Sequence, residues 1–282
     1  MRNFCIISND IKDRKLFLMQ ELAAYIESKG GHAICICAHE GSERRRLDFD
    51  ASAISEDTEC ILVLGGDGTL IRVATRLEHC PIPIVGINLG NLGYLCELDR
   101  ASAPLAIDRL MANACSMEDR MMLTGCLAGG TQAPSALNDI VIHQSEGMSL
   151  IRLQVSVNGE YLTTYDADGI ILATPTGSTG YNMSAGGPIV EPKAQMILLT
   201  PINAHSLRSK SIVLDANDEI EITLCSRRPD VTEHAAVSFD GDIVLQLDAG
   251  DCFQVRRSEN VTSICKLNKE SFLEIMRKKM EN

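Results

Sequence analysis

Residues 60–77 read Cys60-Ile61-Leu62-Val63-Leu64-Gly65-Gly66-Asp67-Gly68-Thr69-Leu70-Ile71-Arg72-Val73-Ala74-Thr75-Arg76-Leu77. The first five residues form an apolar run of the length and character of a buried strand. Leu70, Val73, Ala74 and Leu77 then fall at the spacing of one helix face. Between them lies a turn with almost no side-chain bulk and one carboxylate. Glycine leaves backbone N–H groups open and accepts dihedrals that other residues resist, so such a turn can wrap a polyphosphate. Strand, glycine turn and helix N-terminus together make a phosphate site. An Asp in a turn also serves as a turn former or helix N-cap. Beside phosphate, however, Asp67 is repulsive unless it holds a metal or takes a proton, which points to phosphoryl transfer.

The flanking sequence extends this pattern. Phe4–Ser8, Ala33–Cys37 and Ile82–Ile87 read as further strands. Asp10 is placed to cap a helix whose face carries Leu16, Met19, Leu22, Ala23 and Ile26, closed by Gly30-Gly31. Another helix runs from Ala103 to about Asn113, with Pro104 in its first turn. Apolar strands alternating with helices predict a parallel sheet covered on both faces, with ligands at the carboxyl ends of its strands. Gly65–Thr69 and the loop Asn88-Leu89-Gly90-Asn91-Leu92-Gly93 both fall at such ends.

Beyond about residue 120 the period changes to two. Ile151, Leu153, Val155 and Val157 alternate with polar residues before the turn Asn158-Gly159, and Ile220, Ile222 and Leu224 alternate likewise. Phe239-Asp240-Gly241-Asp242 reads as another turn. The second part is predicted as antiparallel strands in two layers. The expected organisation is an α/β domain over 1–120, a β-rich domain over 121–266 and a C-terminal helix over 267–282.

Composition narrows the function. A net charge of −12 argues against a nucleic-acid partner, which needs a basic face. Arg44-Arg45-Arg46, the densest positive cluster, reads as a solvated loop. The eleven cysteines include no Cys-x-x-Cys pair, and the six histidines form no ligand-spaced cluster near them, so no structural zinc site is expected. Scattered free cysteines suit a reducing compartment. Neither a signal peptide nor a membrane-spanning apolar run is read, and the expectation is a cytoplasmic protein without a membrane partner.

A second glycine cluster follows a strand at Ile170–Ala173: Thr174-Pro175-Thr176-Gly177-Ser178-Thr179-Gly180-Tyr181-Asn182-Met183-Ser184. Its hydroxyls (Thr174, Thr176, Ser178, Thr179 and Ser184) are suited to bonding ribose, amide or phosphate. This segment, together with Leu64–Thr69, Gly86–Leu95, Leu137-Asn138-Asp139 and Thr200–Leu207, resembles the NAD kinase family, in family order over roughly residues 60–245. The Gly-Gly-Asp-Gly element alone is shared with phosphofructokinases and with diacylglycerol or sphingosine kinases; the Thr-Pro-Thr-Gly-Ser-Thr segment is more restricted.

The resemblance implies transfer of the γ-phosphoryl of ATP to the 2′-hydroxyl of the adenosine ribose of NAD, with magnesium or another divalent metal. It implies a Rossmann-like α/β domain, a C-terminal β-sandwich-like domain, the dinucleotide in a cleft between them, and a homodimer or homotetramer. By residue, it implies Asp67 as the base on the ribose, with Gly65, Gly66, Gly68 and Thr69 at the ATP phosphates. Gly68, Asn138, Asp139, Asp168, Thr179, Gly180, Tyr181 and Ser184 would contact the dinucleotide, Asn138 at adenine and Asp168 near the nicotinamide carboxamide. No metal ligands are assigned. Asp139 stands where the family usually has Glu, Gly180 where it usually has Ala, and Asp242 departs from a family Gln. His205 and the Asp240–Asp242 turn read as structural. The competing readings are a related lipid or sugar kinase and a dinucleotide sensor without chemistry. A Gly-Lys pair is absent from the chain, which excludes a P-loop enzyme.

Overall fold

The computed structural model describes residues 1–40, 47–90, 93–145, 150–205, 210–226, 233–267 and 271–281. Arg44–Arg46, Asn91, Leu92, Ser206 and Leu207 lie outside them. The chain divides into two compact units, Met1–Asp119 with Thr262–Asn282, and Arg120–Val261. The tail after residue 261 thus returns to the first unit.

In the first unit the strands His32–Glu40, Asn3–Asn9, Cys60–Gly65 and Ile84–Asn88 lie side by side in that order, all parallel. Phe4, Ile6, Leu62, Leu64, Val85 and Ile87 pack with the helices Phe17–Ser28 and Ala103–Met111 through Leu22, Ile26, Ile107 and Leu110. The alternate residues Cys5, Ile7, Ile61 and Val63 are equally buried. Both faces of Asn3–Asn9 and Cys60–Gly65 are covered, which is why they read as continuous apolar runs. The helix Asp67–Arg76 starts one residue after Gly65, burying Thr69, Leu70, Val73 and Ala74. The final helix, Phe272–Met280, opens with a capping box between Ser271 and Glu274 and carries Arg277, Lys278 and Lys279 in its last turn.

The first helix starts later than expected. Asp13, not Asp10, caps it: its carboxylate accepts the N–H groups of Leu18 and Met19 at 3.0 Å each. A short 3₁₀ turn, Arg14–Leu16, intervenes, with Lys15 and Leu16 at positive φ. Asp10 instead pairs with His39.

The second unit is a two-layer β structure. One layer holds Glu160–Ala167, Ile151–Val157, Ile220–Cys225 and the strand that begins at Cys252, with Ser116–Leu127 paired to the last. The other runs Ile212–Asp215, Met196–Ile202, Gly169–Ala173, Asp139–Gln144, His234–Phe239 and Asp242–Asp248, antiparallel throughout. Leu153, Val155, Ile222 and Phe253 meet Ile140, Ile142, Ile170, Leu172 and Phe239 in a shared core. Phe239 and Phe253 stack edge to face, 6.4 Å between centroids. On the opposite face of the second sheet, Ala185 and Val190 cover Val141, Ile171 and Leu198. The glycine- and hydroxyl-rich loop therefore folds back over its own strand, and Gly169–Ala173 shows no polar alternation. Among the described residues, no helix is long and apolar enough to cross a membrane.

Candidate active site

Gly65 and Asn88 are register partners at the carboxyl ends of adjacent parallel strands. Gly66, with extended dihedrals, occupies the N-cap of the following helix, and Asp67 lies in its first turn. A Cβ on Gly65 would come within 2.5 Å of Thr69, so the tight return of the helix onto the strand requires glycine there. Gly68 differs: a Cβ on it would meet nothing within 4 Å. Packing gives no reason for its missing side chain.

The Asp67 side chain bonds backbone amides outside its own helix. It reaches across to the segment after Gly93, where Oδ2 accepts the Tyr94 N–H at 2.6 Å and Oδ1 accepts those of Leu95 at 3.2 Å and Cys96 at 2.9 Å. A Cβ on Gly93 would coincide with this carboxylate. The neighbouring Cys96 thiol is pushed well up, by burial first and by the Asp67 charge second. Two cations accompany the turn. Lys266 pairs with Glu97 and is lowered to about 8 by its burial, against the pull of Asp67. The Lys12 ammonium lies over Gly66, 3.1 Å from where a Cβ would stand. Sequence reading missed Lys12 and Lys266; a lysine just after the first strand's carboxyl end was the available signal for Lys12.

In the second unit, Asn138 and Asp139 meet the hydroxyl-rich loop. Thr174 donates its backbone N–H to the Asn138 carbonyl at 2.8 Å and its hydroxyl to the Leu137 carbonyl at 2.7 Å. A Cβ on Gly177 would strike the Asn138 carbonyl, and one on Gly180 would lie 3.4 Å from Asn138 Nδ2 and 3.9 Å from Asp139 Oδ2. Gly180 and Asp139, two of the three departures from the family pattern, thus lie close together. Asp240, at positive φ in its turn, accepts the N–H groups of Leu137, Asn138 and Asp139 at 2.7, 2.7 and 3.1 Å. Asp139 is buried and pushed up to about 7, by desolvation first and by Asp240 second. Asn138 Oδ1 is buried with no hydrogen-bond partner among the described residues.

Several loop hydroxyls serve the chain itself. Ser178 both donates to the Val190 carbonyl and accepts its N–H, at 3.1 Å, and the Thr179 hydroxyl donates to the Thr176 carbonyl at 3.3 Å. Tyr181 and Ser184 are exposed on the short helix that follows. Asp168 stands apart from this group, at the other end of Gly169–Ala173, roughly 20 Å along the strand from Thr174. Its Oδ2 accepts the Asn203 amide at 2.9 Å. His205 is exposed, and its backbone N–H donates to the Asp166 carbonyl.

Comparison with known proteins agrees with both halves of this geometry. Residues 4–115 match the family model of the ATP-NAD kinase N-terminal domain, and residues 137–267 match that of the ATP-NAD kinase C-terminal domain. An NAD kinase of Agathobacter rectalis is 55% identical, covering 100% of this chain and 99% of its own. The chain belongs to the NAD kinase family. An NAD kinase of Lachnoclostridium phytofermentans is 38% identical, with 99% of each chain covered. Among solved structures, yeast NADH kinase complexed with NADH superposes with a TM-score of 0.77 at 24% identity, covering 98% of this chain and 86% of that one. An NAD kinase from Archaeoglobus fulgidus in complex with ATP gives 0.77 at 22%, covering 99% of each. These two establish the NAD kinase fold for this chain.

Proposed function

We propose that this protein transfers the γ-phosphoryl group of ATP to the 2′-hydroxyl of the adenosine ribose of NAD, giving NADP. The observation that carries the reading is the Asp67 carboxylate, fixed by backbone amides at a glycine turn whose Gly68 leaves space for a ligand. Each carboxylate oxygen can accept two hydrogen bonds. Among the described residues Oδ2 accepts the Tyr94 N–H, and the ribose hydroxyl approaches the same oxygen. The amide bonds set the direction of the carboxylate. Phosphoryl transfer has a loose transition state and asks more for placement than for base strength. Gly65, Gly66, Gly68 and Thr69 let the backbone approach the donor phosphates, and Lys12 adds a positive charge there.

Asn138, Asp139, Thr179, Gly180, Tyr181 and Ser184 hold the dinucleotide, with Asn138 at the adenine and Tyr181 packing against it. Asp168 takes the nicotinamide end. A divalent cation, magnesium or another, accompanies ATP. Asp67, its oxygens already bonded by the backbone amides of Tyr94, Leu95 and Cys96, fits an ion held mainly by phosphate oxygens and water, the usual habit of magnesium. Such an ion supplies charge neutralisation on the transferring group. The family resemblance further supports a cytoplasmic homodimer or homotetramer, which light scattering on the purified protein tests. The activity itself is tested by incubating the protein with ATP, magnesium and NAD and reading NADP with an NADP-specific dehydrogenase. NADP should accumulate in proportion to enzyme; none at high enzyme concentration would sink the assignment.

A further inference from the structure

The sequence spacing predicts no ligand-spaced histidine cluster near the cysteines, but the fold of the first unit brings Asp10, Cys37 and His39 together. Asn9 and Ala38 are register partners at the carboxyl ends of two parallel strands, which brings Asp10 beside the segment 37–39. Cys37 and His39 are two residues apart on one strand and so share a face. The Cys37 sulfur lies 3.9 Å from His39 Nδ1, and Asp10 Oδ2 lies 2.7 Å from the same nitrogen. All three potential ligand atoms fall within 4.8 Å of one another.

We propose that Asp10, Cys37 and His39 form a binding site for one thiophilic divalent cation of the zinc class, distinct in chemistry from the oxygen-held ion that accompanies ATP. Tetrahedral zinc, with bonds of about 2.3 Å to sulfur and about 2.0–2.2 Å to nitrogen and oxygen, sets its S and N ligands about 3.6 Å apart and its N and O ligands about 3.3 Å apart. The sulfur and nitrogen already stand close to that separation, and the carboxylate needs to retreat by about 0.6 Å. A second observation points to a cation. Asp10 Oδ1 is buried with no hydrogen-bond partner among the described residues, so half of this carboxylate has lost water without replacement. A bound cation compensates that loss. On binding, the Cys37 thiol releases its proton to solvent and the thiolate sulfur bonds the metal, with no change of oxidation state. A thiolate and an imidazole select zinc or cobalt over magnesium. His39 is 63% exposed, so the fourth position faces water and the ion is exchangeable.

The test is a titration of the full-length reduced protein with cobalt and then zinc, in the presence of excess magnesium. Wild type should bind one equivalent of cobalt with a thiolate-to-cobalt charge-transfer band, and zinc should displace it. C37S should abolish the band. H39Q, an exposed substitution that leaves the core untouched, should weaken zinc at least tenfold, whereas C35S should change neither. No stoichiometric binding by wild type would overturn the site, as would a band that survives C37S or a zinc affinity unchanged in H39Q. In that case the cluster is only an Asp10–His39 ion pair.

Discussion

The Asp67 carboxylate occupies the position where a side chain on Gly93 would begin. The direction of one residue's oxygens therefore depends on the absence of atoms in another, in a loop 26 residues further along the chain. Replacing Gly93 by Ala forces the carboxylate aside and disturbs its bonds to the amides of Tyr94, Leu95 and Cys96. G93A should lower kcat at least tenfold, because a small misplacement of a reacting group is costly in rate. Steady-state kinetics at saturating ATP and NAD check this, and unchanged kcat in a folded G93A protein would show that the placement is unimportant.

Lys12 reaches the glycine turn from the loop after the first strand. If its ammonium meets the donor phosphates, K12M should raise the KM for ATP about tenfold and leave the KM for NAD nearly unchanged. K12R should recover most of the loss. Equal effects on both substrates would argue for a general disturbance of the turn instead.

Asp139 provides a pH signature of the second unit. Its carboxyl rises from an ordinary 3.8 to about 7, chiefly through burial. Between those values the folded protein keeps a proton that the unfolded chain has released. Its contribution to stability is complete below the unfolded value and is lost as pH rises to about 7. D139N removes this dependence. The Tm of D139N relative to wild type should therefore increase from about pH 5 to about pH 8. A parallel pair of Tm curves would show that Asp139 ionises freely in the folded state.

Asp240 holds the backbone that presents Asn138 and Asp139. Asparagine keeps the positive φ of the turn but cannot accept N–H bonds on its amide nitrogen. D240N should cost roughly 1–3 kcal/mol of stability in denaturant unfolding. It should also raise the KM for NAD more than that for ATP. No change in either quantity would make the turn an ordinary hairpin end.

The elements themselves were legible where periodicity is strong. Cys60–Gly65, the helix after it and the hairpin at Asn158-Gly159 follow directly from apolar spacing and turn chemistry. Local spacing pointed to Asp10 as the helix cap and missed Asp13, because the intervening 3₁₀ turn, with Lys15 and Leu16 at positive φ, shifts the start without altering the apolar face. The partners of Asp67, the clamp of Asp240 on Leu137–Asp139 and the meeting of Asp10 with Cys37 and His39 were not readable. Each is made by strand register or by a loop far off in sequence, which residue type alone does not encode. The hydroxyls of Ser178 and Thr179 were legible as polar loop residues, but not as bonds that fasten the loop to itself.

The central claim is that Asp67 accepts the proton of the attacking ribose hydroxyl. The most direct measurement compares wild type with D67N for NADP formation from ATP, magnesium and NAD, with Tm recorded for both. The account predicts a folded D67N protein that has lost most turnover, by roughly 10²-fold or more, with a KM for NAD changed only a few-fold. A folded D67N protein turning over at near the wild-type rate would contradict it.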